Sequence, residues 1–295
     1  MTSESGSSLA KLLISCADRP GLVASLAQLL AGHGANILSS DQHTDREQGQ
    51  FFQRLVFDLS ALSTDRGTLE RAIQEVAERF DMTVDLFFCQ SPGGAPLKKK
   101  VALFVSKYDH CLYDLLLRQR AGELNCEIPI IISNHPDLAP VAEQFGIDYY
   151  TFPKTAEKKA LVEREELELL KEKKIDLVVL ARYMQILSDQ FLSSFSGHVI
   201  NIHHSFLPAF IGGRPYHQAH SRGVKLIGAT AHYATPDLDE GPIIEQDVVR
   251  CSHRDDVEDL VRKGRDLEKV VLARAVRAHL EDRVLSLGNK TVVFD

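Results

Sequence analysis

Four apolar runs constrain the fold more than any other feature: residues 101–106 (VALFVS), 128–133 (IPIIIS), 175–180 (IDLVVL) and 198–202 (HVINI). None of them alternates polar with apolar side chains. A strand lacking a polar face is one covered on both sides, as in a mostly parallel sheet with helices on each face. Helical stretches separate the runs, so residues 101–295 predict an α/β domain. The Glu/Lys-rich segment around 156–174 reads as a solvated helix with opposite charges at helical spacing. Residues 225–233 and 242–249 read as paired strands joined across 234–241. A long helix over about 255–280 and a hairpin turning at Gly288-Asn289 complete the domain.

The first 90 residues follow a different pattern. Strands are expected at 11–16, 36–41, 51–59 and around Val84, Leu86 and Phe88. Leu22, Leu26, Leu29 and Leu30 recur at helical spacing, as do Leu69, Ile73, Val76 and Phe80. Phe51, Leu55, Phe57 and Leu59 share one strand face. The order βαββαβ predicts a ferredoxin-like unit. Asp18 is placed to cap the first helix, with Pro20 in its first turn and Gly32 and Gly34 as its stop. Residues 91–100, with proline, glycines and a lysine run, read as a linker.

A net charge of −7 argues against a nucleic-acid partner bound through bulk electrostatics. The five cysteines are scattered without a C-x-x-C, so neither a disulfide framework nor a thiolate metal site is expected. The opening MTSESGSS lacks the pattern of a secretory signal, and no apolar run approaches the ~20 residues of a membrane span. A cytoplasmic location without membrane contact is the expectation.

The chemistry concentrates where the fourth run ends, at Asn201-Ile202-His203-His204-Ser205-Phe206-Leu207-Pro208. In open α/β sheets ligands gather at the carboxyl ends of strands. Asn201 and His203 are two apart, hence on one side of an extended chain. An amide donor and an imidazole suit a carbonyl whose oxygen becomes negative under attack. A second candidate is Asp237-Leu238-Asp239-Glu240-Gly241-Pro242, which is either an exposed acidic turn or a loop carrying a general base.

These segments resemble the folate-dependent formyltransferase family. The motifs are N-I-H-H-S-F-L-P-A-F, G-A-T-A-H-Y and L-D-E-G-P-I-I, in that order, within a similarity running from about 100 to 295. The resemblance implies a Rossmann-like catalytic domain acting on 10-formyltetrahydrofolate as a substrate, with no cofactor and no metal. It implies that Asn201, His203 and Asp239 are catalytic, leaving Asp237 and Glu240 as loop residues. It further implies a folate pocket from the backbone around Arg182, Tyr183, Met184, Gln185, Ile186 and Leu187, with Ala234 and Thr235 from the following loop. On their own residues Met184, Ile186 and Leu187 would read as core.

His204 stands where relatives often carry proline, and reads as a structural histidine. The window 198–232 holds six histidines, yet His217-Gln218-Ala219-His220 lacks the acid of an H-E-x-x-H zinc helix. Cys111 reads as a buried thiol rather than a nucleophile.

Members of that family differ in the formyl acceptor. Those acting on a ribonucleotide carry a glycine-rich phosphate turn after the first strand. The corresponding Ser106-Lys107-Tyr108-Asp109-His110-Cys111-Leu112 has no glycine, and Asp109 would repel a phosphate. A tRNA acceptor would favour a basic carboxy-terminal extension. Water is therefore the expected acceptor, which makes the expected activity hydrolysis to formate and tetrahydrofolate. A small-amine formyltransferase and an inactive folate or amino-acid sensor are the alternatives. D-R-P-G-L-V at 18–23 resembles an ACT domain, which deformylases of this family carry ahead of the catalytic one. That implies an amino-acid effector, with glycine and methionine as the candidates, near Asp18, Arg19, Gly21 and Leu22. It also implies a homodimer or homotetramer.

Overall fold

The computed structural model describes residues 8–195, 197–209 and 214–295. The amino-terminal signal reading and Phe210 of the first motif fall outside them. The chain forms two compact units.

The first unit holds β1 (Leu9–Ala17), α1 (Leu22–Gly32), β2 (Asn36–Asp45), β3 (Gln50–Asp58), α2 (Arg66–Phe80) and β4 (Thr83–Phe88). The strands make an antiparallel sheet of order β2-β3-β1-β4, the arrangement expected of a βαββαβ chain. Leu12, Ile14, Leu55 and Phe57 of the sheet bury against Leu26 and Leu30 of α1 and Leu69 and Ile73 of α2. Each side chain so buried contributes roughly 1.5–3 kcal/mol. The opposite sheet face carries Arg54, whose guanidinium donates to the carbonyls of Asp282 (2.8 Å) and Glu281 (3.1 Å). Thus Glu281–Leu285 and Val292–Asp295 belong to this unit although they end the chain.

One expectation changes here. Asp18 does not cap α1. Gly21 is the cap residue, at φ 95°, with no side-chain cap bond, and Pro20 lies before the helix. Pro20-Gly21 has the chemistry of a type II turn, which needs a left-handed third residue and so delivers the chain to the helix through glycine. The division between the two units falls within the linker expected at 91–100, which holds a folded turn. Ser91 N–H donates to the Ala95 carbonyl (2.8 Å) and Leu97 N–H to that of Cys89 (2.9 Å), closing a turn. Lys99 and Lys100 already belong to the next strand.

The second unit comprises Lys99–Leu280 and Ser286–Thr291. Its strands are β5 (Lys99–Val105), β6 (Cys126–Ser133), β7 (Asp148–Thr151), β8 (Leu177–Leu180), β9 (His198–His203), β10 (Leu226–Tyr233) and β11 (Ile243–Arg250). They form one sheet, order β11-β10-β9-β8-β5-β6-β7. The strands β5 to β9 run parallel, and β10 and β11 are antiparallel to their neighbours. The helices are α3 (His110–Arg120), α4 (Ala139–Phe145), α5 (Lys159–Glu172), α6 (Asp189–Ser194), α7 (Pro215–Arg222) and α8 (Val257–Leu280). Phe104, Ile130, Ile132, Val178 and Phe191 sit in the core. The short edge strand β7 had no counterpart among the apolar runs.

The helix α5 departs from its sequence reading. Glu163 and Glu166 are buried, not solvated. Lys154 Nζ lies 2.9 Å from Glu166 Oε2 and 3.8 Å from Glu163 Oε1, with 2% of its side chain exposed. Tyr183 Oη reaches Glu166 at 3.4 Å, while Ser188 hydroxyl and N–H both donate to Glu163. Charge repetition at helical spacing identified the helix but not which carboxylates point inward. Among the described residues, no helix is long and apolar enough to cross a membrane.

Candidate active site

A cavity of about 450 Å³ opens beyond the carboxyl ends of β8 and β9. Its walls carry Asn201, His203 and Asp239, together with the 182–187 segment, Ala234 and Thr235. The chain thus brings to one place residues that sequence reading drew from three separate segments.

The register of β9 against its neighbours sets the geometry. Asn201 faces His232 across the antiparallel pair with β10, and His203 faces Thr230. His232 is buried, and its Nδ1 lies 2.9 Å from the Tyr233 carbonyl, which can only accept. The proton therefore sits on Nδ1 and leaves Nε2 as an acceptor. Burial lowers the pKa of this ring and keeps it neutral. Asn201 Nδ2, 3.2 Å from that Nε2, donates to it. The amide orientation follows, and its second N–H is left for the cavity.

Asp239 arrives from the loop between β10 and β11, with its Oδ1 at 3.1 Å from His203 Nδ1 and 3.8 Å from His232 Nε2. Burial works to raise its pKa, but the hydrogen bond from His203 and the His203 charge lead the effects that outweigh burial and hold it below the ordinary carboxylate range. Its backbone is left-handed at φ 59°, which aspartate tolerates better than most residues. Gly241 lets this loop close, since a Cβ there would come 1.7 Å from the Tyr233 carbonyl oxygen. Asp237 and Glu240 do not line the cavity. With Nδ1 of His203 held by Asp239, its buried Nε2 has no hydrogen-bond partner among the described residues. An amide N–H, an imidazole nitrogen and a carboxylate therefore converge on one volume. Such a set can stabilise a developing oxyanion and move a proton.

The 182–187 segment divides its side chains. Tyr183 and Leu187 are buried in the core, Tyr183 edge-on to Phe104 at 5.3 Å. Met184 and Ile186 are more than half exposed, and with Leu238 they give the cavity an apolar lip. So the core reading holds for Leu187 and fails for the other two.

Sequence reading passed over a second cluster. Glu268 of α8 is buried and accepts from His110 Nε2 (2.8 Å) and Tyr216 Oη (2.6 Å), with Arg182 Nε at 3.5 Å. Burial would raise its pKa, but these donors and the Arg182 charge hold it low. Gly264 gives Tyr216 its room, since a Cβ there would lie 2.0 Å from the hydroxyl. His110, Cys111 and Glu268 place ligand-type atoms within 4.8 Å of one another. Both Glu268 oxygens and His110 Nε2 are already committed to one another or to Tyr216, and burial pushes the Cys111 pKa well up, so it is a thiol. His232 stood in the sequence only as the histidine of G-A-T-A-H-Y, and its strand register against Asn201 was needed to give it a role.

His204 packs between His203 (ring centroids 5.2 Å, planes 47° apart) and Tyr216 (6.1 Å, 59°). Burial, then the Arg182 charge, push its pKa down to about 4. The unfolded chain takes up a proton near 6.5 that the fold refuses until about 4, so stability falls as pH drops through that window. Melting temperature followed across that range should fall less steeply in His204→Gln than in the parent. Parallel curves would remove His204 from the acid sensitivity.

Comparison with known proteins agrees with this architecture. The ACT domain family matches residues 11–81 and the Formyl transferase family residues 99–276. A formyltetrahydrofolate deformylase from Synechocystis sp. is 57% identical over 286 residues, covering 97% of this chain and 98% of that protein. One from Bacillus subtilis is 49% identical, covering 97% and 93%. The crystal structure of a formyltetrahydrofolate deformylase from Pseudomonas syringae pv. tomato superposes with a TM-score of 0.93 at 48% identity, covering 99% and 96%. A glycinamide ribonucleotide transformylase from Symbiobacterium toebii matches less of the chain, 72%, with a TM-score of 0.65 and 29% identity. By this likeness over nearly its whole length, the chain belongs to the formyltetrahydrofolate deformylase family.

Proposed function

We propose that the protein hydrolyses 10-formyltetrahydrofolate to formate and tetrahydrofolate, with Asn201, His203 and Asp239 as its catalytic residues. The convergence of these three side chains on one cavity is the observation that carries the reading. Water attacks the formyl carbon. The free N–H of Asn201 and Nε2–H of a protonated His203 stabilise the resulting oxyanion. Asp239 accepts the water proton, directly or through a second water, and returns it to the leaving N10. Each such oxyanion donor is worth roughly 2.7–4 kcal/mol of barrier. The apolar lip of Met184, Ile186 and Leu238 suits a flat heteroaromatic ring, with backbone groups of 182–187, Ala234 and Thr235 reading its edge. The steps call on no cofactor.

Water rather than an amine is the acceptor in this reading, and a cytoplasmic enzyme is its natural setting. Purified protein given 10-formyltetrahydrofolate alone is expected to release formate stoichiometrically with tetrahydrofolate. Release only after a small amine is added would instead favour a formyltransferase. Tight folate binding with no turnover would favour a sensor.

The ACT unit supports a regulatory site and assembly into a dimer or tetramer. Helix α1 has no side-chain cap and no acidic residue in its first turn, so its N–H groups suit the carboxylate of an amino acid such as glycine or methionine. Asp18 and Gly21 border that turn and Leu22 buries beneath it, while the Arg19 guanidinium lies 5.1 Å over the Phe80 ring.

A further inference from the structure

The same cavity has a cationic wall that the hydrolytic steps leave unused. Arg182 is buried to 8% exposure and left-handed at φ 63°. Its Cζ lies 4.8 Å over the Tyr108 ring, which Arg265 of α8 shares at 5.4 Å. Arg214, at the amino end of α7, lines the cavity too. The acidic side chains on the cavity wall are already engaged: Asp239 by His203, and both oxygens of Glu268 by Tyr216 and His110. Arg182 Nε and Nη1 are buried without a hydrogen-bond partner among the described residues. Beyond the 3.5 Å ion pair of its Nε with Glu268 the guanidinium is short of acceptors, and its terminal nitrogens Nη1 and Nη2 form a planar fork. A carboxylate is the group whose two oxygens match that fork.

We propose that Arg182, with Arg265 and Arg214 lining the same cavity, forms a small-carboxylate subsite that receives the product formate as it leaves the catalytic residues. The proposal rests on the hydrolytic reading, in which N10–CHO and water give N10–H, formate and a proton. That reaction creates a one-carbon anion in the cavity this wall shares. Tyr108 holds both guanidiniums by cation–π attraction, at 4.8 Å and 5.4 Å, which uses none of their N–H donors. Formate there moves away from the Asp239 carboxylate, which repels it.

The test uses the full-length protein. Sodium [13C]formate should show line broadening with the parent protein, saturable and absent with Arg182→Gln, and reduced with Arg265→Gln. In turnover, added formate should inhibit the parent, with its inhibition constant raised at least tenfold in Arg182→Gln. No broadening with the parent would overturn the subsite without needing any variant to fold. Equal inhibition by sodium chloride at matched ionic strength would overturn it as well. So would a rise in substrate KM confined to folates that carry their glutamate tail, since the arginine would then serve that carboxylate. Formate binding without release of formate from substrate would sink the hydrolytic reading alone.

Discussion

Asp239→Asn should lower formate release by about 10²–10⁴-fold, the span of general acid-base assistance, while folate still binds. The substitution is close to isosteric, and asparagine accepts the left-handed backbone at φ 59°. Its amide oxygen can still take the His203 Nδ1 proton across the 3.1 Å contact, so the ring stays oriented. What is lost is charge. The amide cannot accept a proton from attacking water, and it no longer balances an imidazolium at His203. Because the carboxyl is held below its ordinary range, Asp239 stays ionised well into mild acid. A loss of activity on its acid side therefore belongs below the usual carboxylate pKa, and the variant should lack that limb. Formate production against pH, with folate affinity measured in parallel, separates the outcomes. Near-normal turnover would remove Asp239 from the mechanism.

Local pattern revealed the scaffold, and pairing decided the rest. Val101–Val105 and Leu177–Leu180 are apolar on both faces because the sheet is covered twice, and that is visible in any window of the chain. β7 is four residues of DYYT at the sheet edge, where partial exposure erases the apolar signal. Asn201 and His203 are legible as a same-side pair at a strand end. His232, which fixes the Asn201 amide, becomes meaningful only when β10 lies antiparallel at the register Asn201↔His232. The cluster of His110, Tyr216 and Glu268 draws on three helices, with its histidine and its glutamate 158 positions apart. No spacing rule reaches so far. Among the acids of 237–240, spacing alone left every one eligible; the family motif singled out Asp239.

Burial of charge is the property hardest to read in a chain, and Lys154→Met tests its size. Removing one partner of a buried pair typically costs about 3–5 kcal/mol, because the other charge is left without compensation. Here two carboxylates depend on the same ammonium, at 2.9 Å and 3.8 Å, and among the described residues only Glu163 has a second cation near, Lys159 at 3.9 Å. For a unit of this size the loss corresponds to a fall of roughly 6–20 °C in melting temperature. The pH dependence has a definite sign. Burial already raises the Glu166 pKa against the pull of Lys154, and deleting that pull raises it further. The fold would then hold a proton that the unfolded chain has released, so the deficit is largest near neutral pH and narrows as pH falls. Function should suffer with it, because Tyr183 and Ser188, which bracket Met184 to Leu187, hang from these two carboxylates. A higher KM for the folate with a smaller change in kcat is the expected pattern. Adding Glu163→Gln and Glu166→Gln to the lysine variant should restore much of the stability, since the uncompensated charges are gone. A melting temperature unchanged by Lys154→Met would show that water, not the ammonium, neutralises this site.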